Sequence, residues 1–155
     1  MKYSIARAQL VITLMVGLIV SLAPSAHAED HECSLARAAG KWSFTDNGTV
    51  VGVGPRVAVG TLTLDSAGSV SNGTVTSSLN GTITSETASG TYTVNPDCTG
   101  TFNLTVYSSG VELFTVTASS AFDNRMQHLR GIFTSVVEPN GTALATVIAV
   151  DGNKQ

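Results

Sequence analysis

The stretch Gly90 to Tyr107 constrains the fold more than any other. Two alternating runs, Thr91-Tyr92-Thr93-Val94 and Thr101-Phe102-Asn103-Leu104-Thr105-Val106, flank Asn95-Pro96-Asp97-Cys98-Thr99-Gly100. Apolar residues at every second position line one face of a strand, and a Pro/Asp/Gly-rich break between two such runs makes a hairpin. The same pattern recurs along the chain. Runs from Gly40 to Thr45, Arg56 to Asp65, Ser69 to Ser77, around Ile83, Val111 to Ala118, Arg130 to Val137 and Thr142 to Val150 are separated by Gly-containing breaks, except that a polar stretch, Phe122 to Leu129, with a turn expected at Asp123-Asn124, precedes Arg130. Eight or nine short strands at this spacing, with no strand–helix alternation, predict an all-β antiparallel fold. Sequential hairpins without long crossovers favour an up-and-down barrel of about eight strands, a form that also removes exposed edges; a β-sandwich is the alternative.

The breaks are read as follows. Asp46-Asn47-Gly48, Ser66-Ala67-Gly68, Asn80-Gly81, Ser89-Gly90 and Pro139-Asn140-Gly141 are expected to bound strands, and Val50 to Pro55 to form a bent strand or rim loop. The last run is apolar on both faces, so it is expected to lie within the sheet, covered on both sides. Ser34 is placed to cap a short helix over Leu35-Ala36-Arg37-Ala38-Ala39, with Gly40 as its stop.

Residues 1–28 have the form of an export signal. Lys2 and Arg7 precede an apolar run from Leu10 to Val20, and Ala26-His27-Ala28 places small residues for cleavage. That run is shorter than the roughly 20 residues of a membrane span. Residues 29–155 are then one domain, expected outside the cytoplasm in a bacterial periplasm or medium. Losing Lys2 and Arg7 leaves six basic against eleven acidic residues, which argues against a nucleic-acid partner. Cys33 and Cys98 are the only cysteines. In an oxidising compartment a disulfide is the leading reading, with free thiols or an intermolecular bridge as alternatives. No metal set, no phosphate-binding loop, no nucleophile elbow and no cofactor motif is present.

Five Asn-x-Thr sequons occur, at Asn47, Asn72, Asn80, Asn103 and Asn140; four are Asn-Gly, which turn chemistry explains. Glu112 falls in alternation with Phe114 and Val116, which would carry it into the interior as the one weak catalytic candidate; a solvated position at the rim, near Val111, is the alternative. Trp42, Tyr92, Glu112, Phe114 and Arg130 are the candidate ligand-binding residues; Arg56, Arg125, His128 and Tyr107 are further polar groups able to line a pocket.

Gly40-Lys41-Trp42 after a short helix resembles the Gly-x-Trp opening of calycins such as lipocalins. That resemblance implies a basic residue packed over the Trp ring, with Arg130 the match and Arg125 the alternative. A second resemblance covers most of the exported part. Cys33-Ser34, Gly48-Thr49-Val50-Val51-Gly52-Val53-Gly54-Pro55 and the Gly90–Thr101 stretch are similar to a set of small exported bacterial proteins without assigned activity. It implies export, the Cys33–Cys98 disulfide and a barrel related to calycins or allene oxide cyclase, and no catalytic residue. The function expected is binding of a small apolar or amphiphilic ligand. A self-associating structural protein is the alternative, a cofactor-free barrel isomerase or cyclase the third reading, and enzyme activity is not the favoured one.

Overall fold

The computed structural model describes residues 32–155, so the signal-peptide reading of residues 1–28 lies outside the described residues. After helix α1 (Leu35–Ala38), eight strands follow: β1 (Gly40–Val50), β2 (Gly54–Leu64), β3 (Ser69–Leu79), β4 (Thr82–Val94), β5 (Thr99–Ser108), β6 (Val111–Phe122), β7 (His128–Val137) and β8 (Thr146–Lys154). Each pairs with the next, antiparallel, and β8 pairs with β1, closing the barrel. This is the up-and-down barrel expected, not the sandwich.

Several expected breaks are instead parts of strands. Asn47-Gly48 lies within β1, Ser89-Gly90 within β4, and Asn72-Gly73 at a bulge within β3, where Asn72 has φ 51°. Close packing gives each glycine a use other than turning. A Cβ at Gly48 would run into the Val147 carbonyl, and one at Gly90 into the Asn103 carbonyl. The tight two-residue turns are Asn80-Gly81, with φ of 48° and 85°, and Ser109-Gly110, with φ of 51° and 80°. β8 has apolar residues on both faces but no outer layer, and Val147 is 73% exposed. The expectation that it is covered on both sides fails because a single-sheet barrel has only one inside.

Two layers of inward side chains differ in bulk. The lower layer is filled by Trp42, Leu62, Leu64, Tyr92, Phe102, Phe122, Met126 and Leu129. The Trp42 and Phe122 rings meet edge to face at 5.8 Å, and Tyr92 stacks on Phe102 at 5.6 Å. The upper layer is Ala58, Val75, Ala88, Val106, Val116 and Val136. Small and β-branched residues around a wall of fixed circumference cannot meet in the middle. The barrel is therefore plugged at one end and hollow towards the other.

The plug is sealed by the N-terminal segment. Ser34 caps α1 through a hydrogen bond to its Oγ from the Arg37 N–H (3.4 Å). The helix is too short to stand alone, and its carbonyls are taken up by the barrel. Trp42 Nε1 donates to the Ala38 carbonyl at 2.8 Å, Lys154 Nζ to the Arg37 carbonyl at 2.8 Å, and Tyr92 Oη contacts the Leu35 and Asp65 carbonyls at 3.2 and 2.7 Å. The Cys33–Cys98 disulfide ties the segment to the β4–β5 turn.

Candidate functional site

Four polar side chains stand at mid-height inside the barrel. The inward set of β1 is Trp42, Phe44, Asp46 and Val50, so alternation carries Asp46 into the interior. The inward set of β2 begins at Arg56, that of β3 includes Ser77, and that of β4 runs Glu86, Ala88, Tyr92. Small inward neighbours, Gly48 opposite Arg56 and Ala58 opposite Asp46 and Ser77, leave the long guanidinium room to cross the lumen. All four are buried: Asp46 2%, Arg56 6%, Ser77 2% and Glu86 6% exposed.

Their contacts are long. Arg56 Nε lies 3.4 Å from Asp46 Oδ1, and one terminal nitrogen lies 3.5 Å from Asp46 Oδ2 and 3.3 Å from Glu86 Oε2. Charge-assisted pairs normally close to about 2.7–2.9 Å. Among the described residues, Asp46 Oδ1 and Arg56 Nε have no hydrogen-bond partner. Glu86 is better held, accepting from Ser77 Oγ at 2.6 Å. Phe114 lies against the guanidinium, its ring centre 5.7 Å from Cζ. Burial pushes the Asp46 carboxyl above the usual carboxylate range, against the opposing pull of Arg56.

This group divides the hollow into two spaces. Below it is a cavity of about 80 Å³ among Trp42, Phe44, Leu62, Phe102, Leu129 and Val150. Above it the barrel opens into a mouth of about 350 Å³ walled by Val50, Leu79, Leu113, Leu144 and Ile148. Arg56, Glu86, Phe114 and Phe133 border both, so they form the floor of the mouth and the roof of the lower cavity. The mouth is a concave apolar cup with a charged floor. Its volume lies in the range of small-molecule sites, about 300–1,000 Å³.

The expected site residues separate. Phe114 lies on the floor, and Arg56, one of the further polar groups, is its centre. Trp42 lines the lower cavity but is 1% exposed and belongs to the plug. Tyr92 is also plug, and burial raises its phenol pKa to about 12. Glu112 is exposed and lines neither space. The register between β5 and β6 shifts between Val106 and Tyr107, so β6 holds one extra residue there. Leu113 and Phe114 both border the mouth, and Glu112 is turned outward. Arg130 does not cover Trp42 either: its side chain is 81% exposed, 3.5 Å from Asp151. Arg125 is exposed in the β6–β7 turn, and the basic residue at the helix end is Lys154. His128 Nδ1 lies 3.1 Å from the Gly152 carbonyl, away from the mouth, and Tyr107 is half-buried outside both spaces.

Asp46 and Glu86 were missed because Asn47-Gly48 and Ser89-Gly90 read as turns, which broke their strands. The available signal was an acid in phase with aromatic residues: Trp42-x-Phe44-x-Asp46, and Glu86 six residues before Tyr92. Among the described residues, no group of three or more His, Cys, Asp or Glu is placed to hold a metal ion, and no helix is long and apolar enough to cross a membrane.

No protein-family model matches this chain, and no curated protein matches it. A solved structure similar to it is that of the S-type phycobiliprotein lyase CPES from Guillardia theta. The TM-score is 0.46 at 9% identity, over 85% of this chain and 98% of that one. At that distance the likeness carries no argument about the site, and the functional reading rests on the barrel itself.

Proposed function

We propose that this protein is an exported binding barrel that holds a small amphiphilic molecule in its mouth. The observation that carries the reading is the shape of the interior. One end is plugged by aromatic rings, and the other opens as an apolar cup of about 350 Å³ over a buried polar floor. A barrel with only a structural role gains nothing from leaving its upper layer unfilled, since hollow space forfeits dispersion contacts. Apolar walls supply affinity, and a few fixed polar groups set orientation. The Cys33–Cys98 bond suits an oxidising compartment, which supports the export reading.

The test is equilibrium titration with Nile red, a neutral apolar dye. Saturable one-to-one binding is expected, and Ile148→Trp, which fills the mouth from its wall, should abolish it while the far-ultraviolet spectrum stays unchanged. Absence of saturable dye binding to the wild type, or equal binding to the plugged variant, overturns the reading.

A further inference from the structure

We infer that the ligand of the mouth carries a cationic, N–H-donating head that seats on the Arg56–Glu86 floor, where Asp46 pairs Arg56 from below, with its apolar body against the wall above. This rests on the binding reading proposed above and adds the ligand's charge and orientation.

A buried arginine at the bottom of an apolar cup would ordinarily suggest an anionic ligand such as a fatty acid. Here the charge count points the other way. Arg56 is already contacted by two carboxylates, Asp46 on β1 and Glu86 on β4, and its face is covered by Phe114. Among the described residues, the only other charged side chain bordering either space is Glu138, at the rim. Glu86 and Glu138 line the mouth while Asp46 offsets Arg56 from the lower cavity, which gives the mouth a negative interior. A carboxylate head would meet Glu86 in surroundings of low dielectric, where like charges repel strongly. An ammonium head meets a net negative floor.

The hydrogen-bonding inventory agrees. Asp46 borders the lower cavity with its Oδ1 3.4 Å from Arg56 Nε, whereas Glu86 lies on the mouth's floor, where it accepts from Ser77 and keeps further acceptor capacity. An N–H donor from a ligand would take up that remaining capacity. The groups facing Asp46 are Arg56 from β2 and Glu86 from β4; the neighbouring β8 contributes the apolar Ile148 and Val150. Burial raises the Asp46 carboxyl against the pull of Arg56, and an incoming ammonium would favour its ionised form. The orientation follows from the same layout: the polar groups lie at the bottom of the mouth and the apolar side chains above them.

The experiment is isothermal titration of the protein with decylamine, decanol and decanoate, each below its aggregation threshold, at low salt between pH 5 and 8. Decylamine stays cationic across that range. It should bind tightest, about tenfold or more above decanoate, a difference of about 1.4 kcal/mol. Its affinity should fall as pH is lowered through the Asp46 pKa, which burial raises, whereas that of decanol should not. The conservative pair Asp46→Asn with Glu86→Gln should remove the preference and leave decanol binding in place. If that pair does not fold, the divergent pH profiles of decylamine and decanol on the wild type decide the matter. Decanol or decanoate binding as tightly as decylamine overturns the cationic-head inference and leaves the binding reading intact. If none of the three binds, both fail.

Discussion

Replacing Arg56 by methionine should destabilise the barrel severely, and most of the loss should return when its acidic partners are also removed. Arg56 is 6% exposed and, among the described residues, carries the only positive charge bordering either interior space. Methionine has similar length and no charge, so the substitution opens little space but leaves Asp46 and Glu86 buried without a cation. Breaking a buried ion pair from one side costs about 3–5 kcal/mol. At about 4 °C per kcal/mol for a domain of this size, the melting temperature should fall by about 12–20 °C at pH 7. The Asp46 carboxyl, already raised by burial and now without its cation, keeps a folded pKa above its unfolded one of about 4, so its penalty applies above that pH and shrinks below it. Adding Asp46→Leu, Glu86→Leu and Ser77→Ala replaces the whole group by apolar side chains. Such replacements are often neutral or stabilising by about 1–4 kcal/mol, so this variant should melt near or above the wild type. Thermal unfolding followed by near-ultraviolet circular dichroism at pH 4 and pH 7 is the assay. A single variant within about 1 kcal/mol of wild type, or an apolar variant as weak as the single one, would refute the buried ion group.

Three further outcomes are expected. Asp46→Asn should gain stability relative to wild type as pH rises from about 4 to 7. The wild-type carboxyl, raised by burial, loses stability as pH climbs through its folded pKa, and Asn does not titrate; urea midpoints across that range read the difference, and parallel curves would contradict it. Replacing Cys33 and Cys98 by alanine reopens a 65-residue separation, with a loss of about 4 kcal/mol in the chain-entropy model, and the unreduced, denatured wild type should take up no iodoacetamide. Glu112→Gln should leave ligand binding and stability unchanged within about 0.5 kcal/mol, because that side chain is exposed and outside the mouth; a loss of binding would return Glu112 to the site.

What could be read from the sequence depended on which signals local chemistry determines. Period-two alternation settled the all-β class, and the absence of crossovers led to the closed up-and-down barrel. The short helix was legible because Ser34 and Gly40 bracket it. The interior was legible only in part, because it depends on strand registers that local patterns do not contain. A single extra residue at Leu113 turns Glu112 from the interior to the surface. Two glycines serving close strand contact, Gly48 and Gly90, look identical in sequence to turn glycines, and reading them as turns hid Asp46 and Glu86. Hollowness itself is a property of the ring of small residues at Ala58, Ala88, Val106 and Val116. Those residues come from different strands and form one layer only once the barrel has closed.

The most direct test of the account is a methyl nuclear magnetic resonance titration with decanol, which carries no charge and so reports the cup alone. The account predicts that methyl signals of Val50, Leu79, Leu113, Leu144 and Ile148 shift together and saturate, while those of the outward Val57, Val59, Ile83 and Val147 stay in place. Shifts confined to the outer residues, or none at all, would contradict a ligand-binding mouth.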